Sequence, residues 1–316
     1  MKKVYLLIFS TCLSACQPKI ADQQLISQPS YSATISEDAQ LALISTSNAD
    51  LQLWDLNTKQ QKYHWVHGAE NNSDAIDTAI SPNGRFAASL SKQSVALWQI
   101  SDGQSLGWWS LPASGQSVAI SNRGNLLVGL SDASVMSLDP QQNRLIQFLG
   151  HSEKINRVAI SANGDIAISG ANDNQTIVWR TDTGQPLQQW TLDSRVTQVA
   201  LNHDASLAFA GDSTNMAKVW QVSDGNLISE LNIKRRTMNF STARFTNDGQ
   251  WLMTGTPARE VILWQVQNGK KIANWRVNRT EHAQIKGAVV YSVANMANQH
   301  LISFSSNGLL ETWAVP

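Results

Sequence analysis

An all-β ring of seven four-stranded sheets, a seven-bladed β-propeller, is predicted for this 316-residue chain by three observations. A tryptophan on a short apolar run recurs at a nearly fixed interval. A pair of apolar runs joined by a tight polar turn precedes each copy. A second turn and a fourth run follow it. Periods of about 40–45 residues with four short strands per unit mark a propeller blade.

The tryptophan strings are LQLWDL (51–56), VALWQI (95–100), TIVWRT (176–181), AKVWQV (217–222), VILWQV (261–266) and LLETWAV (309–315). A copy at SVMSL (134–138) lacks the Trp and is expected to place Ser137 there. The successive intervals, from Trp54 to Trp313, are then 44, 39, 42, 41, 44 and 49 residues. Upstream lie hairpin patterns such as DTAISPNGRFAASL (77–90) and RVAISANGDIAISG (157–170). Asn-Gly and Asp-Gly between apolar runs favour hairpins because such turns need positive φ. Downstream come RTDTGQPLQQW (180–190), QVQNGKKIANW (265–275) and their counterparts. Each unit therefore reads as strands a, b, c and d, with the Trp on c.

The chain stops at Pro316, three residues after Trp313, which leaves the last unit no room for strand d. Residues 22–28 are expected to supply it, since Gln24-Leu25-Ile26-Ser27 matches Asn226-Leu227-Ile228-Ser229 on strand d of the fifth unit. Closing the ring removes unpaired strand edges at the two ends of the array.

These units resemble the WD-repeat β-propeller family over about residues 20–316, and the fourth unit matches best. It holds Gly150-His151 before strand a, Ser169 on b, Asp173 in the b–c turn and Trp179 on c. The resemblance implies that His151, Ser169, Asp173 and Trp179 form a structural hydrogen-bonded chain. Elsewhere the Asp position is Asn48, Lys92, Thr214, Ala258 or Asn307, and His67 and His282 stand 31 residues before their Trp rather than 28.

The first residues have another character. Lys2-Lys3, the apolar run Val4–Phe9 and Leu13-Ser14-Ala15-Cys16 form a secretory signal too short for a transmembrane helix. The last four resemble a bacterial lipoprotein signal, which implies cleavage before Cys16 and lipidation there, palmitate included. The expected layout is a signal peptide at 1–15, a lipidated tether at 16–21 and the propeller at 22–316. Gln17 rather than Asp after the Cys points to the outer membrane, facing the periplasm of a Gram-negative bacterium. Loss of Cys12 with the signal leaves Cys16 alone, so no internal disulfide can form. Without Lys2 and Lys3 the chain carries 22 basic and 24 acidic residues, a balance that argues against nucleic acid as a partner.

Chemistry-bearing motifs are sparse. No nucleophile elbow, phosphate loop, His-Glu-x-x-His or Cys pair is present. His64 and His67 stand three apart on an expected strand, an odd spacing that sends them to opposite faces. No catalytic residue, metal site or cofactor is expected. Trp65, Trp109, Trp190 and Trp275 recur near the ends of strands d and read as inter-blade packing, while one of Trp108 and Trp109 should face outward. The least repetitive feature is charge. The d–a connection after unit five carries Lys234, Arg235 and Arg236, and the one after unit six carries Arg276, Arg279 and Lys286. With Arg259 in the b–c turn between them, these seven should converge on one sector against Glu260 and Glu281. Across the ring, residues 68–76 carry Glu70 and Asp74.

The expected function is a non-enzymatic protein-interaction scaffold or accessory lipoprotein of the cell envelope, meeting one or more protein partners of acidic character. It touches membrane through its lipid alone. One alternative is a propeller hydrolase or lyase, which would need carboxylates or histidines converging in the central channel. Another is an outer-membrane assembly-factor propeller, whose Thr-Gly to Trp spacing of four differs from the six at Gly184–Trp190 and Gly269–Trp275.

Overall fold

The computed structural model describes residues 19–47, 50–68, 74–279, 287–296 and 300–316. These form seven antiparallel sheets of four strands, arranged as a propeller. Blade four shows the plan: Ile155–Ile160, Ile166–Ala171, Gln175–Arg180 and Pro186–Thr191 are strands a to d. Strand b is the best buried, because it has a strand on each side and a blade against each face. Blade seven is built from Val290–Met296, His300–Ser305 and Leu309–Ala314, with Lys19–Gln24 as its outer strand.

The closing strand begins at Lys19, three residues before the expected start, and it ends at Gln24. Lys19 pairs with Trp313 as Leu227 pairs with Trp220, so the apparent match of Gln24–Ser27 to Asn226–Ser229 is out of register. Leu25 and Ile26 instead leave the strand and bury against Ile35, Ile44, Phe304 and Leu310 at the seam of blades seven and one. The Leu25 amide donates to Gly308 O at 3.0 Å and fixes that exit.

Blade three also needs a correction. Leu126 pairs with Leu138 as Ala167 pairs with Trp179, so Leu138 occupies the tryptophan position rather than Ser137. Its a–b turn is one residue shorter than that of blade four. Leu138 is buried, and Trp109 from blade two packs on the same core. At four other seams an aromatic on strand d packs on the strand-c Trp of the next blade, stacked in the first three pairs and tilted in the last. The pairs are Trp65–Trp98 (4.9 Å between ring centres), Phe148–Trp179 (4.4 Å), Trp190–Trp220 (4.7 Å) and Trp275–Trp313 (6.4 Å). Such pairs contribute about 0.5–1.5 kcal/mol beyond their burial. The Trp65 indole also donates to Gly103 O at 2.9 Å, in a c–d turn where Gly103 takes φ 75°. Trp108 is the outward member of its pair, 41 % exposed and edge-on to Trp98 and His67.

Strands a line a central channel of about 510 Å³. One level of it is polar in every blade: Ser32, Asp77, Ser117, Arg157, Gln198, Thr242 and Ser292. These residues stitch blades together, with Asp77 accepting from Val118 N (3.0 Å) and Ser292 from Ile35 N (3.0 Å). Arg157 crosses the channel to Asp77 (2.9 Å), Gln198 (3.2 Å) and Ser241 O (3.3 Å), tying blade four to blades two, five and six.

Candidate functional site

Blade four holds the hydrogen-bonded chain in part. His151 Nδ1 lies 3.0 Å from Asp173 and Nε2 lies 2.8 Å from Ser169 Oγ, all three being buried. The Trp179 indole nitrogen has no partner, so the chain stops at Ser169. Blade two carries a second such chain, built on His67. Its Nδ1 meets Ser89 Oγ at 2.7 Å, Ser89 accepts from Trp98 Nε1 at 2.9 Å, and Nε2 meets Ser94 Oγ at 3.1 Å. Sequence reasoning set His67 aside on its spacing of 31. Ten residues separate it from Asp77 where six separate His151 from Arg157, and the blade-two b–c turn is one residue shorter. These two offsets account for the difference of three. Desolvation lowers both imidazoles; Asp173 opposes it at His151, whereas His67, with no carboxylate, is held down at about 4. Both chains are interior and brace strands.

His64 lies beside Asp50 on the rim of blade one, away from His67. Among the described residues no cluster of His, Cys, Asp or Glu could hold a metal ion. The described channel lining has one carboxylate, Asp77, occupied by Arg157 and the Val118 amide, together with Arg244, which donates to Ile35 O at 2.9 Å. It offers no pair of carboxylates for acid–base work.

The basic sector is divided. Arg235 forms a two-pronged ion pair with Glu260 (Nη2 to Oε1 2.6 Å), and Glu260 also accepts from Asn274 Nδ2 at 3.3 Å. Of the seven basic residues expected in this sector, Arg235 is thus the one whose charge Glu260 meets directly. Lys234 and Arg236 stand exposed on the same connection. Lys286, Glu281, His282, Glu70 and Cys16 lie outside the described residues.

Arg259, Arg276 and Arg279 do come together. Val277 N donates to Arg259 O (2.9 Å), and Arg259 Nη1 donates back to Val277 O (3.1 Å), with Arg276 and Arg279 flanking Val277 in the chain. Desolvation and then the charges of Arg279 and Arg276 hold the Arg259 guanidinium below its usual value, against the pull of Glu311. None of the three makes an ion pair among the described residues. Beneath them Glu311 is fully buried on strand c of blade seven, and both its oxygens accept from Asn278 N (3.2 and 3.3 Å). Burial pushes its carboxyl up to about 6, although Asn278 N, Lys19 and Arg259 oppose the shift.

Residues 142–180 match the family described as WD domain, G-beta repeat. The matched span runs from strand d of blade three through strand c of blade four, one strand out of phase with the blade, as a ring closed by its own N-terminal strand requires. No curated protein sequence matches the chain. Among solved structures, a chain of "Crystal Structure of Mitotic Checkpoint Complex" aligns with a TM-score of 0.74 at 16 % identity, covering 95 % of this chain and 90 % of that one. With 1905 solved chains matching, the likeness identifies a fold and selects no activity. The chain is a seven-bladed propeller that carries a WD repeat at residues 142–180.

Proposed function

We propose that this propeller is a non-enzymatic scaffold or accessory lipoprotein of the bacterial cell envelope, anchored by lipid at Cys16 on the periplasmic side of the outer membrane. Its d–a face binds an acidic protein partner. The observation that carries this reading is the cluster of Arg259, Arg276 and Arg279, which form no ion pair among the described residues, next to exposed Lys234 and Arg236 on a rigid ring. Unpaired charge on a rigid surface speeds association with an opposite surface more than it deepens affinity, and salt weakens it.

The closing strand supports the orientation. Lys19 pairs with Trp313 at the a–b and c–d end of blade seven, opposite the arginine cluster. Cys16 stands three residues earlier, and three residues span at most about 11 Å. An anchor there would hold the a–b face near the membrane and turn the basic face outward. A channel enzyme is the weaker reading, because Asp77 is consumed by its ion pair with Arg157.

Crosslinking in intact cells, followed by mass spectrometry of what is captured, tests the proposal. The variant Arg236→Glu, Arg276→Glu, Arg279→Glu should fold normally, since all three side chains are exposed, and should lose the main partner. Capture at normal yield in low salt by the folded variant contradicts the interface. Metabolic fatty-acid labelling should mark the wild type and miss Cys16→Ala, which should leave the membrane fraction. Retention of that variant in the outer membrane contradicts the anchor.

A further inference from the structure

We infer that Arg259, Arg276 and Arg279 form an oxyanion site that takes one compact dianionic group, of the phosphoryl or sulfuryl class, in preference to a single carboxylate. The inference rests on the basic sector described above and concerns the ligand its centre would hold.

Backbone geometry supplies the first argument. Arg259 sits in the b–c turn of blade six at φ 69°. The same turn position takes the left-handed region at Ala133 in blade three, Asn174 in blade four and Gly308 in blade seven, so the geometry belongs to the turn and fixes where the Arg259 side chain starts. An arginine there costs conformational energy that a glycine or asparagine would avoid. The turn brings the Arg259 guanidinium to Val277 O, on the segment that carries Arg276 and Arg279, and its remaining N–H donors have no partner among the described residues.

Charge supplies the second argument. Every described acidic group near the cluster can be placed. Glu260 faces Arg276 across the strand pair, but both its oxygens are taken by Arg235. Glu311 lies below Arg259, fixed by Asn278 N and fully buried, so it offsets about one charge and cannot move out to pair. Among the described residues, three cations over one buried carboxylate leave a residue of two positive charges. A monocarboxylate would leave one of these unmet, while a dianion with several equatorial oxygens can accept from more than one guanidinium at once. Arginine is suited to that task because its fork of donors matches tetrahedral oxyanions.

The test uses the full mature protein in detergent, titrated with inorganic phosphate, sulfate or acetate at constant ionic strength and followed by thermal unfolding and calorimetry. Phosphate and sulfate should raise the melting temperature of the wild type, and acetate should not. Arg276→Gln combined with Arg279→Gln should weaken phosphate binding by about tenfold or more. Arg259→Gly is the sharper variant, because it should melt higher than wild type without ligand, through relief of the left-handed strain, yet lose the phosphate response. Equal phosphate responses in wild type and Arg259→Gly would overturn the site, as would an acetate response matching that of phosphate. Partner capture in cells with no phosphate response would sink this inference alone and leave the protein interface standing.

Discussion

Closing the ring with a strand from the other end of the chain places a large share of stability on two side chains. Leu25 and Ile26 follow that strand and are buried against Ile35, Ile44, Phe304 and Leu310, where blade seven meets blade one. Truncating a buried Leu or Ile to Ala costs about 2–5 kcal/mol, through lost transfer energy plus the cavity left behind. The two residues are neighbours, so their costs need not add. At about 2 kcal/mol each, additive costs would reach about 4 kcal/mol for Leu25→Ala with Ile26→Ala, a large part of a total near 5–15 kcal/mol. For a domain of about 300 residues, with about 2.1 cal/mol/K of unfolding entropy per residue, it corresponds to a fall of roughly 6 °C in melting temperature. The double substitution is more informative than a deletion, since the strand Lys19–Gln24 can still pair with Leu309–Trp313 through its backbone. Thermal and urea unfolding of the purified protein provide the assay, with Leu106→Ala on an exposed outer strand as the control. A double variant that melts together with the wild type would refute the claim that these residues hold the seam.

Glu311 has a folded pKa of about 6, above its ordinary 4.5, so its contribution to stability is fully present below 4.5 and is lost as pH rises through 6. Glu311→Gln should therefore be more stable than the wild type above pH 6, by about 1–2 kcal/mol, and flatter in between. An unchanged pH profile would contradict this. Ser89 joins His67 to Trp98, and Ser89→Ala leaves His67 Nδ1 and the Trp98 indole N–H without their partner while His67 Nε2 keeps Ser94. A loss of about 1–3 kcal/mol is expected in urea unfolding, and a loss no greater than that of a surface serine would remove His67 from the bracing role.

Much of the fold is legible because a propeller repeats its signals: each Trp reports a strand c, and each Asn-Gly or Asp-Gly a hairpin. The errors fall where a Trp is missing, a turn changes length or a strand is short. Blade three has no Trp to fix the register of its strand c, and the position falls at Leu138 rather than at Ser137. A longer connection separates His67 from its strand a and hides its likeness to His151. The closing strand has the sequence KIADQQ, largely exposed and without apolar alternation, so the apolar Leu25-Ile26 pair drew the register six residues too far along. Of the basic sector, position on one face was readable from topology, but partnership was not. Glu260 is next to Arg259 in sequence and across from Arg276, yet it pairs with Arg235, 25 residues away. The Arg157–Asp77 link joins residues 80 apart in nonadjacent blades, and no local pattern announces it.

The claim that the basic face is the partner surface is tested most directly by site-specific photocrosslinking from the two ends of one strand. A photoreactive residue in place of Arg236, in the d–a connection after blade five, should yield a partner adduct in intact cells. The same residue in place of Asp224, in the c–d turn at the opposite end of strand Leu227–Glu230, should yield none. Adducts from Asp224 with none from Arg236 would place the partner on the other face and contradict the account.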